Sequence, residues 1–272
     1  MEFRTIIDIP APTFRIAPFE EMLFVGSCFA EGIGRRFRDA LFRATVNPYG
    51  VMYNPVSVMH TVDRYLKEHP SAMPRTVFIT LGTNHVYRLR ETGEIVDNCE
   101  KRPAALFHEE QLTVDDCADS LRQTITLLRQ RNAEVRVVMT VSPIRYRKYG
   151  YHGSQLSKAT LLIAADRLCA DDNTICYFPA YEIVQDELRD YRFYAPDMLH
   201  PSEQAVEYIW QRLTDTMLSD EAKTFLNKWR PIRQALGHRP LHPDSPDHRA
   251  FVEQTQQRLS ALRQKYPDMP PV

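Results

Sequence analysis

The sequence predicts an α/β fold, a three-layer α/β/α sandwich around a mostly parallel sheet, and two observations predict it. Short apolar runs of strand length alternate with longer amphipathic runs of helix length from about residue 22 to residue 218. The strongest apolar runs, TVFITLG and VRVVMTVSP, lack the polar alternation of a half-wetted strand, as expected where helices cover both faces of a sheet.

Taken in order, MLFVG (22–26) reads as a strand. Residues 29–41 read as a helix with Phe29, Ile33, Phe37 and Leu41 down one side. A weaker strand over 42–46 closes at the turn-like NPYG, and 56–67 is helical. TVFITLG (76–82) is a buried strand, after which VYRLR and EIVDN flank Glu91-Thr92-Gly93 as an inserted hairpin. Residues 114–131 form an amphipathic helix, 135–143 a strand stopped by proline, 154–170 a helix and TICYFP (174–179) a strand. Ser202 caps a helix over 202–218, with Glu203 placed to favour its positive end. Beyond residue 220 no buried-strand pattern remains. Two helical segments (220–236 and 246–265) joined by LGHRPLHPDSPDHR predict a helical appendage over 221–272, packed on a main domain of 1–220.

Composition narrows the function classes. Of 272 residues, 43% are hydrophobic and 25% charged, enough for a substantial core, and a net charge of -1 gives no field favouring nucleic acid or anionic lipid. MEFRTIIDIPAPTFRIAPFE lacks the apolar region of a signal peptide, and no stretch nears the roughly 18 apolar residues of a membrane span. Five irregularly spaced cysteines without a CxxC pair argue against a disulfide framework and a zinc knuckle, so a cytoplasmic protein with reduced thiols is expected. Neither GxGxxG nor GxxxxGK[ST] occurs, and no cofactor or metal is expected.

Ligands of an open parallel sheet bind at the carboxyl ends of its strands. The polar groups that follow the apolar runs are Gly26-Ser27-Cys28, Asn47 to Gly50, Gly82-Thr83-Asn84 and Ser142 to Arg145, with Asp197-Met198-Leu199-His200-Pro201 before the last core helix. Asp197 and His200, three residues apart, can meet so that the carboxylate fixes one ring nitrogen and leaves the other as a general base. Such a base needs a nucleophile, and Ser27 or Cys28 offers one on a tight strand-to-helix turn. The helix start there would lower a thiol pKa and present N–H groups to an oxyanion. The plainer reading makes Asp197 a cap, His200 a surface residue, Ser27 an N-cap and Cys28 a small packing residue. The joint occurrence of these groups at strand carboxyl ends favours the chemical reading.

These residues carry a resemblance. GSCFA at Gly26 to Ala30, with NPYGVMYNP, TVSPIR, DELRDYRFYAPDMLHPS and RPLHPDSPDH, resembles the GSCFA-domain proteins, which look like members of the SGNH (GDSL-like) hydrolase superfamily. That resemblance implies a flavodoxin-like sheet topology and four blocks: a GDSL nucleophile, a glycine, GxN and DxxH. GTN matches the third at Gly82 and Asn84, implying oxyanion donors. DMLH matches the fourth at Asp197 and His200, implying acid and base, and Gly50 of NPYG is the implied glycine. The first block departs. Without a gap GDSLxxG falls on GSCFAEG, placing Cys28 at the nucleophile position and Ser27 at the aspartate's; shifting by one restores a serine but breaks the matches at Phe29 and Gly32. Register and thiol chemistry favour Cys28, with Ser27 the alternative.

Lesser candidates surround these. His85 and Tyr87 are read as walls of the pocket or as structural residues, and Arg145 as a clamp on an anionic substrate group or a solvated base. The expected activity is that of an esterase or acyltransferase on small acyl esters, such as acylated sugars, through a covalent acyl-enzyme. The competing reading is a non-catalytic binding protein on the same scaffold.

Overall fold

A computed structural model describes residues 4–242 and 245–272. Met1 to Phe3, where the FRT segment begins, and Pro243-Asp244, inside the His- and Pro-rich loop, lie outside the described residues. The chain runs β1 (Glu21–Gly26), α1 (Cys28–Asp39), β2 (Arg43–Val46), α2 (Pro55–Glu68), β3 (Thr76–Leu81), β4 (His85–Leu89) and β5 (Ile95–Val96). It continues through β6 (Phe107–Gln111), α3 (Val114–Arg131), β7 (Arg136–Val141), α4 (Gly150–Asp171), β8 (Ile175–Tyr177) and the single turn α5 (Ala180–Glu182). The helices α6 (Glu203–Met217), α7 (Asp220–Leu236) and α8 (Pro246–Lys265) complete it.

Five strands form a wholly parallel sheet in the order β2-β1-β3-β7-β8. Counting only these five, the order is 2-1-3-4-5, the flavodoxin-like arrangement, whose switch point lies between β1 and β3. Successive side chains point to opposite faces. Met22, Phe24, Phe78 and Val138 join one core with α1, α6, α7 and α8, while Leu23, Val25, Val77, Ile79, Val137 and Met139 join the other with α2, α3 and α4. Three layers result. The strands read as continuous apolar runs because both faces are covered.

The carboxyl-terminal helices belong to the first of these cores. Phe225, Trp229 and Ile232 of α7, Leu259 and Leu262 of α8, and Tyr266 pack with Phe19 and Phe42, and Trp229 Nε1–H donates 2.7 Å to the Asp39 carbonyl.

Caps set the helix starts. Ser27, Asn54, Thr113 and Ser202 each accept an N–H of the following turn, and Thr113 with Asp116 forms a reciprocal capping box. The predicted hairpin is β4 with β5, but its main partner is β6, which the sequence did not suggest. In FHEEQ only Phe107 is buried, so the segment carries no apolar run to read. The short helical stretch over 180–187 was likewise unforeseen; it is one α-turn followed by a wider turn over Ile183–Glu187.

Candidate active site

The turn after β1 is fixed by close packing. Gly26 has φ +139°, and a Cβ there would collide with the backbone of Thr80 on β3. Only glycine fits. Ser27 then caps α1. It is fully buried, its Oγ accepts from the Phe29 N–H at 3.3 Å and lies 3.2 Å from Thr80 Oγ1, and its own N–H donates to Thr80 at 3.0 Å. The hydroxyl is therefore committed to the cap. Cys28, the next residue and the first of α1, is partly exposed.

Cys28 shares a cleft of about 210 Å³ with His200. Gly32 and Arg35 of α1, Ile144 and Pro201 complete much of its wall. Salt bridges from Arg35 and Arg36 to Glu203 (3.2 and 2.9 Å) hold the start of α6, which adds Glu203 and Val206 to the wall, against α1. Burial pushes the Cys28 thiol up from its ordinary value, as does Glu31, while the Cys28 and Phe29 N–H groups and the Lys158 ammonium pull it down. The net direction is upward, which corrects the expectation that the helix start alone would lower it. Such a thiol is neutral near pH 7 and needs a base to react.

The loop before α6 places an imidazole, that of His200, in the same cleft. Ala195 N–H donates to the His200 carbonyl (2.7 Å), Ser202 N–H to the Phe193 carbonyl (2.8 Å), and Met198 turns the chain at φ 59°. Asp197 Oδ1 accepts from the Leu199 and His200 N–H groups at 2.8 and 3.0 Å, and its Oδ2 lies 2.6 Å from His200 Nδ1. The His200 and Leu199 N–H groups, with the imidazole, hold the Asp197 carboxyl down to about 2. An ionised carboxylate on Nδ1 keeps the proton there and leaves Nε2 as acceptor. Arg145 steadies the loop: its N–H donates to the Leu199 carbonyl at 3.1 Å, and its guanidinium donates to the Met198 carbonyl at 3.0 Å over the rings of Tyr151 and Tyr194. It thus lies beside the Asp197–His200 loop, outside the Cys28 cleft.

The expected oxyanion donors are directed elsewhere. Asn84 Nδ2 donates 2.7 Å to the Leu112 carbonyl, and the Gly82 N–H donates 2.8 Å to the Tyr53 carbonyl. Gly50 lies in an open turn at φ +91° with its N–H on the Asn47 carbonyl (2.9 Å). None of the three lines the Cys28 cleft. His85 and Tyr87 sit on the small antiparallel sheet. His85 stacks on Tyr149 at 3.6 Å, burial lowers its pKa, and Nδ1 is 3.4 Å from Glu109 Oε1 without the alignment of a hydrogen bond. Tyr87 bonds Lys148, itself 2.8 Å from Glu109.

Lys158 is the residue the sequence reading passed over. It lies on the buried stripe of α4 with Leu161, Ala165 and Leu168, yet is 1% exposed, and its Nζ donates 2.7 Å to both the Gly82 and the Ser142 carbonyl. A lysine at helical spacing on an otherwise apolar face was the available signal.

Among the described residues no group of three or more His, Cys, Asp or Glu side chains is placed to hold a metal ion. A larger groove of about 620 Å³ between α1, α6 and α7 is lined by Trp210, Trp229, Arg230 and Arg233 and carries no Cys, Ser or His.

Comparison with known families places the chain. The GSCFA family model matches residues 21–74 and 71–213, and that of the GSCFA C-terminal domain matches residues 229–270. The chain belongs to the GSCFA family. Curated protein sequences include no match to this GSCFA chain. Among solved structures it is similar to a member of the lipolytic protein G-D-S-L family from Veillonella parvula (13% identity, 72% of this chain and 97% of that chain covered, TM-score 0.47). It is also similar to an acetyl xylan esterase from Butyrivibrio proteoclasticus (12%, 77% and 64%, TM-score 0.42) and a family two carbohydrate esterase from Clostridium thermocellum (12%, 76% and 65%, TM-score 0.44). Likeness this remote says nothing of chemistry, for which the GSCFA chain's own residues are the guide.

Proposed function

We propose that this protein is an esterase or acyltransferase acting through an acyl-thioester on Cys28. One observation carries the reading: Cys28 and His200 line a single cleft, Asp197 holds the far nitrogen of His200, and the Ser27 hydroxyl is buried in its cap. His200 Nε2 takes the thiol proton as the sulfur bonds to the acyl carbon. When the carbon–oxygen bond of the ester breaks, the leaving alcohol takes that proton. Water or a second alcohol then repeats the sequence in reverse, giving free acid or a new ester.

A space of about 210 Å³ suits a small acyl group such as acetyl. A second groove of about 400 Å³ is lined by Arg145, which holds the His200 loop, and by Gln155, Gln185, Tyr191 and Tyr194, hydrogen-bonding groups and rings of the kind that hold a sugar. Acylated sugars are therefore the substrates we favour. Free thiols at all five cysteines fit a cytoplasmic setting, and no described helix is long and apolar enough to cross a membrane.

The alternative is a non-catalytic ligand-binding protein on this scaffold, and the commitment of Asn84 and Gly82 to other partners favours it. Hydrolysis of p-nitrophenyl acetate separates the two. Cys28→Ala is expected to lose more than about 1,000-fold in kcat. Ser27→Ala should stay within a few-fold while losing about 1 kcal/mol of stability with its cap. Full activity in Cys28→Ala would refute the covalent reading, and an inactive wild-type protein would favour the binder.

A further inference from the structure

Lys158 is a buried cation without an anion. Its Nζ donates to two carbonyls at 2.7 Å, one just beyond β3 and one just beyond β7, and no described carboxylate stands within ion-pair distance. An ammonium has three N–H donors, so two carbonyls leave one direction open and the charge uncompensated. Buried charges are ordinarily paired. Beside it, 4.9 Å from Nζ, lies the ring of Tyr146, whose hydroxyl is buried without a hydrogen-bond partner. That hydroxyl rests where a Cβ on Gly82 would be. The third N–H of Lys158 and the Tyr146 hydroxyl thus stand at the carboxyl edge of the sheet without an acceptor among the described residues.

Both lie beside the turn that carries Cys28. Met52 N–H donates to the Gly26 carbonyl (2.9 Å), and the neighbouring Tyr53 carbonyl receives the Gly82 N–H, so the Gly26-Ser27-Cys28 turn, Tyr53, Gly82, Tyr146 and Lys158 form one contiguous cluster. The Lys158 charge bears on the Cys28 sulfur, and a negative charge on that sulfur in turn raises Lys158 and the Tyr146 and Tyr53 hydroxyls.

We propose that Lys158 Nζ and the Tyr146 hydroxyl form the anion-stabilising side of this site, donating to the Cys28 thiolate and then to the oxyanion of the tetrahedral intermediate. This rests on Cys28 being the nucleophile. The proton of Cys28 passes to His200 as the sulfur–carbon bond forms, and the carbonyl electron pair moves onto oxygen. Collapse of that oxyanion breaks the bond to the leaving alcohol, which takes the His200 proton. Lys158 and Tyr146 keep their own protons throughout and act by hydrogen bonding and charge. Like Asn84 and Gly82 they do not line the cleft wall, but unlike those two, which are held by Leu112 and Tyr53, they keep an N–H and an O–H without a partner beside the Cys28 turn. Electrostatics agree: burial brings the Lys158 ammonium down to about 7, and negative charge on Cys28 draws it back up. The other groups facing the pair are Tyr53, Tyr149, Tyr181 of α5 and, on the Cys28 side, Glu31 of α1 and His200.

The test is the rate of Cys28 alkylation by iodoacetamide as a function of pH, mapped by peptide mass spectrometry, in Lys158→Gln and Tyr146→Phe, each checked by thermal melting. Lys158→Gln is expected to slow alkylation at pH 7 about tenfold, the equivalent of one pH unit in the thiol titration, and Tyr146→Phe about threefold. Folded variants with wild-type profiles would overturn the proposal. If Lys158→Gln does not fold, Tyr146→Phe decides alone, because it removes a hydroxyl that supports nothing else. No ester is needed for this measurement. Slowed alkylation in a protein without ester turnover would keep the thiolate contact but sink the oxyanion role together with the esterase reading, whereas unchanged alkylation in an active esterase would sink only the proposal.

Discussion

The parallel sheet holds a buried charge at each end, and the two are treated differently. At the amino ends of β1, β3 and β7, Glu20 accepts from the Thr76 hydroxyl at 2.5 Å and the Ala17 N–H at 3.2 Å and pairs with Arg136, which also donates to the Arg15 carbonyl at 2.9 Å. Every strong group there has a partner of the right kind. At the carboxyl ends Lys158 meets carbonyl oxygens, an unpartnered tyrosine hydroxyl and a cysteine, and no carboxylate among the described residues. The first end is a closed structural clamp across three strands. The second is open to an anion that the reaction would supply. Burial of a charge alone therefore does not mark a site; a missing counter-charge at the ligand-binding edge does.

The comparison can be broken from its structural end first. Glu20→Gln leaves Arg136 half-buried without its carboxylate and should cost about 3–5 kcal/mol in denaturant unfolding. It should leave Cys28 alkylation unchanged, since the clamp lies across the length of the strands from the cleft. A fall in alkylation in the folded variant would mean that the two ends are coupled.

A second measurement probes the open end through pH. Lys158 titrates near 7 in the fold, below its ordinary 10.5. Between those values the unfolded chain binds the extra proton, so stability rises with pH across the window and falls again toward pH 7. Against Lys158→Met, the wild-type protein should gain a few kcal/mol between pH 7 and 10. Parallel stability curves for the two would mean that Lys158 carries a well-compensated charge in the fold.

Much of this architecture was legible because burial on both faces writes itself into a strand as an unbroken apolar run. TVFITLG and VRVVMTV contain β3 and β7, and α3 occupies residues 114–131 as its periodicity predicts. β6 was not legible, since FHEEQ pairs through its backbone and buries one side chain. Within the site, Asp197 with His200 could be read from spacing, because a carboxylate three residues ahead of a histidine closes a local turn. Register favours Cys28 over Ser27 in the sequence, but that Ser27 turns into the cap while Cys28 lines the cleft is a matter of side-chain direction, which no local pattern encodes. Asn84 sits in its motif, but its amide donor faces Leu112, twenty-eight residues away in the chain. Lys158 reaches the site from α4 through tertiary packing, and only its intrusion on an apolar stripe announced it.

The most direct test of the central claim is to mix the protein with p-nitrophenyl acetate, quench in acid within the first turnover and locate the acetyl group by peptide mass spectrometry. An acetyl thioester on Cys28, absent in Cys28→Ala and sharply reduced in His200→Ala, is the predicted result. Acetyl on Ser27, or turnover that persists in Cys28→Ala with no adduct at residue 28, would contradict it.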